Sequence, residues 1–452
     1  MIQLLVAAPR SGSGKTTLTC ALLAALKAQG QRLCAFKCGP DYIDPMFHRA
    51  VLGVPSANLD LFFSSVDTVR TLYARGAAGC TAAVCEGVMG YYDGLGGVTD
   101  TASAWHLADT LDLPVILAVR PKGESLTLAA EIRGLAAFRT PHHIAGVVLN
   151  DCTPSLYALL APMLERETGI PVLGYLPTLP AAAIESRHLG LYTAAEITDL
   201  QAKLELLADT AQKTVDWPRL FALCNRPAPP APAPVERATA RPVRIAAAQD
   251  EAFCFAYAET LTALRDAGAE LAFFSPLHDS CLPEGAAGLY LPGGYPELHA
   301  GALSRNAAMR AAVREAVERG LPTVAECGGF LYLGQTLEDA DGHAWSMAGA
   351  LPGAGYKAGR LVRFGYANLT ADADSLLFRK GEAWPAHEFH HWDTTEPGAA
   401  LTAHKPTGSR SWPCCVVSDE LYAGFPHLYW AATPLPGRFV AAARRYEEKT
   451  HR

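Results

Sequence analysis

The chain has 452 residues, half of them hydrophobic, and a formal net charge of −7. That length exceeds one ordinary core, so two or more domains are expected. The negative balance speaks against a nucleic-acid binder, which would carry a basic stripe, and no apolar run reaches the length of a membrane span. The opening Met1–Gly12 has no basic leader and reads as a strand entering a glycine loop, not as a signal peptide. The twelve cysteines are scattered, many in apolar stretches (Cys20, Cys34, Cys85, Cys152). Such use as small hydrophobes fits reduced thiols and a cytoplasmic location. The paired C-x-x-C spacing of a zinc–thiolate site is missing.

In chain order, the strands IQLLVAA, RLCAFKC, AAVCEGV, PVILAV and IAGVVLN alternate with helical stretches such as GKTTLTCALLAALKAQG and SLTLAAEIRGLAAF. That alternation predicts an α/β fold with a doubly wound parallel sheet. A Pro/Ala run, Pro227–Pro234, then interrupts the pattern as a stiff spacer. Beyond it the alternation restarts: PVRIAAAQD, LAFFSP, GLYLPGG and PTVAECG as strands, FAYAETLTALRDAG and RNAAMRAAVREAVERG as helices. Past Leu337 the sequence turns β-rich and aromatic. The expected organisation is a first α/β domain at 1–225, a linker at 226–242 and a second α/β domain at 243–452.

APRSGSGKTT, between the first strand and the first helix, matches the phosphate loop G-x-x-x-x-G-K-[ST] at Gly14, Lys15 and Thr16, with Pro9 in place of the first glycine. Backbone N–H groups from Gly12, Ser13, Gly14 and Lys15 would cradle phosphate oxygens at a helix N-terminus, with Thr16 and Thr17 following. Lys15 would neutralise terminal-phosphate charge, and the Thr16 hydroxyl would face Mg2+. Magnesium asks for further hard oxygens, and Asp41 and Glu86 stand at carboxyl ends of strands, where open α/β sheets bind ligands. Asp44 and Asp93 are secondary acids in the same loops, with plain solvated carboxylates as the alternative. Lys37 is a cation for a substrate carboxylate or an ordinary surface lysine.

In LPTVAECGGFLYLG, Cys327 stands where a strand ends and a helix should begin, with Gly328 and Gly329 permitting a sharp turn. A helix N-terminus would lower the thiol pKa and supply oxyanion donors. Gly293 and Gly294, ending the strand of LYLPGGYPE, would complete that hole with Gly328. A cysteine nucleophile needs a base. His427 lies in an apolar, strand-like stretch near the chain end, although spacing alone does not single it out.

LPGGYPE, ECGGFLYLG and the late histidine resemble a class I glutamine amidotransferase domain. The N-terminal loop resembles the dethiobiotin-synthetase-like branch of P-loop enzymes. Together with KCGPDYIDPMFH, EGVMGYYDG, DEAFCFAYAETL and HEFHHW, they resemble the cobyrinate/hydrogenobyrinate a,c-diamide synthase family from the first strand to His427. The resemblance implies ATP- and glutamine-dependent amidation of two acetate carboxylates of a corrin precursor in cobalamin biosynthesis, through an acyl phosphate. It implies Cys327 as nucleophile, His427 as base, Mg2+ on Thr16, Asp41 and Glu86, and ATP phosphates on Lys15. Tyr42 and Asp93 fall in motifs tied to the ATP and corrin site. Small-molecule substrates are the implied partners, without nucleic acid or membrane; a homodimer stays open, as does the role of Arg10, which stands where related loops carry a lysine. Position 429, two after the histidine, is Tyr429 where ordinary class I enzymes carry a glutamate, which predicts a poorly oriented base. Hydrogenobyrinic acid and nickel sirohydrochlorin remain alternative substrates. A partitioning-type P-loop switch with an inert amidotransferase-like domain is the alternative of another class. His387, Glu388 and His391 match H-E-x-x-H, but Pro385 and the aromatic interleaving predict strand or loop, not the helix that a zinc site there requires.

Overall fold

The computed structural model describes residues 1–50, 52–182, 186–187, 190–191, 199–232 and 241–450. Part of the expected linker, 233–240, lies outside the described residues. The chain divides into two compact units, Met1–Ala233 and Pro234–Arg452. Among the described residues no helix is long and apolar enough to cross a membrane.

The first unit is built on β1 (Ile2–Ala7), β2 (Leu33–Cys38), β3 (Ser56–Leu59), β4 (Ala82–Glu86), β5 (Val115–Val119), β6 (Ile144–Asn150) and β7 (Val172–Leu176), with α1 (Lys15–Ala28) after β1. They form a seven-stranded sheet in the order β3-β2-β4-β1-β5-β6-β7, and the pairings are parallel. Covered on both faces, its central strands are near-continuous apolar runs: all of β2, β4 and β5 is buried. Register brings Lys37 opposite Glu86 and Val6 opposite Glu86. The carboxyl ends of β1, β2 and β4 therefore open together, where such sheets bind ligands.

The second unit runs β8 (Val243–Ala248), β9 (Ala269–Phe274), β10 (Gly288–Leu291) and β11 (Thr323–Glu326). Around a small four-stranded sheet, whose last strand is Trp392–Thr394, come β12 (Arg363–Ala371), β13 (Ala383–His390), β14 (Leu401–His404), β15 (Ser411–Cys414), β16 (Val416–Val417), β17 (Leu421–Gly424) and β18 (His427–Leu428). One sheet has the order β9-β8-β10-β11-β17-β16 and is parallel except for its last pair. A second, antiparallel sheet has the order β15-β14-β12-β13-β18. Ile245, Tyr290 and Val324 of the first share one core with Leu369, Ala403 and Trp430. The helix expected from Arg305 instead starts at Ala307: Asn306 breaks the run, its Oδ1 accepting from Met309 N at 3.3 Å and its Nδ2 donating to Pro276 O and Asp279 O. His387 and Glu388 lie on β13, a strand, as the sequence predicted.

Candidate active sites

In the first unit the chain leaves β1 and turns through Gly12 and Gly14 into α1. Both glycines have positive φ, 77° and 91°, where a Cβ is penalised. Gly14 is also tight: a Cβ there would lie 1.8 Å from Asn150 Nδ2. That amide donates to Ser13 O at 3.1 Å, so β6 holds the loop by its last residue. Ser13 and Lys15 are buried, Thr16 and Thr17 half-buried, and Gly12 exposed. Lys15 Nζ donates to Met89 O at 2.5 Å. Burial, then the Lys37 charge, brings Lys15 down to about 8, against the pull of Glu86, Asp44 and Asp93.

Four acids gather around Lys15 and Lys37. Thr16 Oγ1 donates to Glu86 Oε1 at 2.6 Å. Asp41 Oδ1 accepts the N–H groups of Ile43 and Asp44 at 2.8 and 3.2 Å, which fixes it at the start of the helix Ile43–Ala50. Asp93 accepts from Gly90 N at 2.9 Å. Tyr42 is buried beside them. Burial and the Asp44 charge raise Glu86 to about 7 and Asp41 to about 6. Burial also pushes Asp44 upward, but the paired Lys37 ammonium outweighs it and holds Asp44 below the usual carboxylate range.

Lys37 is not the ordinary surface lysine that the sequence also allowed. It is 4 % exposed, paired with Asp44, 3.0 Å from Glu86 Oε1 and 3.8 Å from Asp41 Oδ2. Its position at the end of a central strand, opposite Glu86, turns the ammonium into the acid cluster. Arg10 pairs with Glu131. The sequence reading missed His48. It is fully buried, with Nε2 3.8 Å from Glu86 Oε2 and Nδ1 3.0 Å from Ser56 Oγ. Burial pushes it down to about 4, so it is a neutral neighbour of the acids. Its spacing four residues after Asp44, on one helix face, was the signal available. The Thr16 hydroxyl and the Asp41 and Glu86 carboxylates are hard oxygen donors. Glu86 Oε2 is buried and makes no hydrogen bond among the described residues. This donor set suits a hard divalent cation.

In the second unit, β11 ends at Glu326 and Cys327 caps the short helix Gly328–Leu333. Cys327 has φ 48° and ψ −101°, a strained conformation for a residue with a Cβ. Its N–H donates to Gly424 O at 2.8 Å, which ties the elbow to β17. A Cβ on Gly328 would lie 3.0 Å from the Gly294 amide nitrogen, and one on Gly329 would lie 2.2 Å from Leu291 O. The close approach of these backbones brings Gly294 and Gly328 together. One correction concerns the thiol. Burial, joined by the Glu297 and Glu388 charges, pushes the Cys327 thiol well above its ordinary value despite the Gly328 N–H. The helix end is outweighed because the sulfur is desolvated.

His427, on β18, is buried, and burial holds it well below its ordinary pKa, with His387 and His390 adding. Its ring stacks on His387, centroids 5.0 Å apart. It also lies against the second glycine pair: a Cβ on Gly293 would sit 2.4 Å from His427 Cε1. Tyr429 packs edge-on against Tyr257 at 5.2 Å. The sequence reading left His427 without a carboxylate, yet Glu326 Oε2 lies 3.9 Å from its Nδ1. Elsewhere on this unit Arg363, Lys405 and Arg410 converge on the Trp412 ring at 5.1, 5.8 and 5.7 Å.

Known proteins share both halves. The family described as CobQ/CobB/MinD/ParA nucleotide binding domain matches residues 4–191. The CobB/CobQ-like glutamine amidotransferase domain matches residues 244–434. A cobyrinate a,c-diamide synthase of Gloeobacter violaceus is 40% identical over 98% of this chain and 96% of its own. That of Listeria monocytogenes serotype 4b is 39% identical over 95% of this chain and 96% of its own. That of Salmonella typhimurium is 38% identical over 98% of both chains. With relatives this similar across nearly their whole length, the chain belongs to the cobyrinate a,c-diamide synthase family.

Proposed function

We propose that the chain amidates the a and c acetate carboxylates of cobyrinic acid, using ATP to activate each carboxylate and glutamine as the nitrogen source. The observation that carries this reading is the coexistence in one chain of the strained Cys327 elbow against Gly294 and the Lys15–Thr16–Glu86 cluster.

At the elbow, the Cys327 thiol gives its proton to His427 and the sulfur attacks the glutamine side-chain amide carbon. The N–H groups of Gly294 and Gly328 take the negative charge of the tetrahedral oxygen. His427 returns the proton to the leaving nitrogen, ammonia departs, and water later hydrolyses the thioester to glutamate. In the first unit the glycine loop from Gly12 to Thr17 binds the phosphates of ATP, and Lys15 meets the charge of the transferring phosphoryl group. A carboxylate oxygen attacks the terminal phosphorus, giving ADP and an acyl phosphate. Ammonia then adds at the acyl carbon, and inorganic phosphate leaves with the former carboxylate oxygen. Thr16, Asp41 and Glu86 are the residues that would hold Mg2+, which supplies positive charge against the phosphate oxygens. Lys37 pairs with Asp44 and Glu86 and lies near Asp41, which holds these carboxylates together.

The test is mass spectrometry of cobyrinic acid after incubation with the protein, Mg-ATP and amide-15N glutamine. Two labelled amides, absent without ATP, are expected. ATP turnover and glutaminase activity with no corrin product would move the substrate to another tetrapyrrole. Absence of glutaminase activity even with cobyrinic acid and ATP present would sink the reading.

A further inference from the structure

A histidine that takes a proton from a nucleophile needs a third group to fix its ring and to stabilise the imidazolium. In this chain that group does not come from position 429, where a tyrosine packs on Tyr257. It stands on the other side of the histidine, in the residue just before the nucleophile. Glu326 is 1 % exposed. Its Oε1 accepts the N–H of Leu428, the neighbour of His427, at 3.2 Å. Its Oε2 accepts from the Tyr290 hydroxyl at 3.2 Å and lies 3.9 Å from His427 Nδ1. One carboxylate therefore grips the backbone beside the base and faces one ring nitrogen, Nδ1. The gap is longer than a hydrogen bond, and such contacts tighten when charge develops.

We propose that Glu326 is the orienting carboxylate of the glutaminase centre, a positioning residue that turns His427 Nδ1 toward itself and stabilises the imidazolium formed when His427 takes the Cys327 proton. The inference rests on the glutaminase reading above. In that step the S–H bond breaks, an N–H bond forms on the His427 ring, and Glu326 neither takes nor gives a proton. Its surroundings explain why the carboxylate is poised for this. Burial lifts Glu326 to about 7, against the N–H of Leu428 and the side chains of Tyr290 and Trp430. A positive ring beside it is the compensation that the dry site lacks until the proton moves. The charged and titratable groups facing the pair are His387 and His390 from β13, Tyr290 from β10, Tyr422 from β17 and Cys327 itself.

The test uses full-length Glu326→Gln and Glu326→Asp, with glutamine-driven and ammonia-driven amidation measured side by side and Cys327→Ser as reference. Glu326→Gln should lower the glutamine-driven kcat by about 10²–10⁴-fold, leave KM for glutamine unchanged, and keep the ammonia-driven rate. The acidic limb of its glutamine kcat/KM profile should move to lower pH, because the imidazolium has lost its counter-charge. Glu326→Asp, which keeps the charge, should recover part of the rate. An unchanged glutamine-driven kcat in Glu326→Gln would overturn the proposal. So would equal loss of both activities in the two variants, or a limb that does not move. If instead Cys327→Ser retains full glutamine-driven amidation, the glutaminase reading itself has failed, independently of Glu326.

Discussion

Glu326 illustrates a cost that single residues carry at such sites. Its carboxyl is held at about 7 against an ordinary 4.5, and burial is the first cause. A carboxyl raised by folding adds stability that is present below about pH 4.5 and lost as pH climbs through 7. The difference corresponds to at most about 3 kcal/mol. Glutamine is isosteric and neutral, can still accept from Leu428 N, and can donate its NH₂ group to the Tyr290 oxygen. Glu326→Gln should therefore match the wild type in thermal stability near pH 5 and exceed it near pH 8. A purely structural carboxylate would give the reverse, a variant less stable at pH 8, and thermal unfolding across pH decides between them. The same scale explains Lys15. Its ammonium is buried, drawn down to about 8, and aimed at a backbone carbonyl in the glycine-rich segment after β4. A phosphate anion there would stabilise the ammonium against the cost of its burial. Lys15→Ala should abolish amidation from both glutamine and ammonia, since activation of the carboxylate precedes either nitrogen. Product formed at a wild-type rate would refute that role.

At the scale of elements, both sites stand at carboxyl ends of parallel strands, and glycine decides how closely the backbones approach there. Gly14 is the sharpest case, with φ 91° and Asn150 Nδ2 in the space a Cβ would take. Gly14→Ala should cost about 1–3 kcal/mol through the strained φ alone. It should also break the Asn150 contact to Ser13 and weaken nucleotide binding by more than it lowers the unfolding temperature. Titration with a fluorescent ATP analogue checks this, and unimpaired binding would show that the loop does not need this contact. These strand ends were legible in the sequence because β1, β2, β4, β5, β10 and β11 are short, largely apolar runs, with an acid or glycine closing β2, β4 and β11 and proline following closely on β1, β5 and β10. β3, with the sequence SANL, and β7 were not read as strands. Both are edge strands, and β3 lacks the continuous apolar pattern of a strand covered on both faces. The residues that spacing could not supply are those whose partners come from distant elements. Lys37 looks the same in sequence whether it faces solvent or Glu86. Glu326 meets His427 only because β11 pairs with β17, and the turn after β17 delivers β18.

For the whole molecule, two reactions must be separable by single substitutions if each unit carries its own chemistry. Each unit has its own buried core, one around Leu5, Phe36 and Leu117, the others around Ile245, Leu291 and Trp430. Removing the sulfur of Cys327 should therefore leave the first unit folded and able to form the acyl phosphate. Cys327→Ser also has little room to disturb packing, since serine is smaller than cysteine and keeps the backbone N–H that meets Gly424 O. The expected result is loss of glutamine-driven amidation with ammonia-driven amidation retained. The ammonia-driven rate should rise with pH, because only the unprotonated form is a nucleophile. The glutamine-driven rate of the wild type should depend less on pH at the alkaline end, since ammonia then arises unprotonated at the elbow. Chromatography of the corrin products with each nitrogen source, from pH 7 to about 9, is the measurement. A Cys327→Ser protein that uses neither source, while still folded by circular dichroism, would mean that the two units do not divide the chemistry in this way.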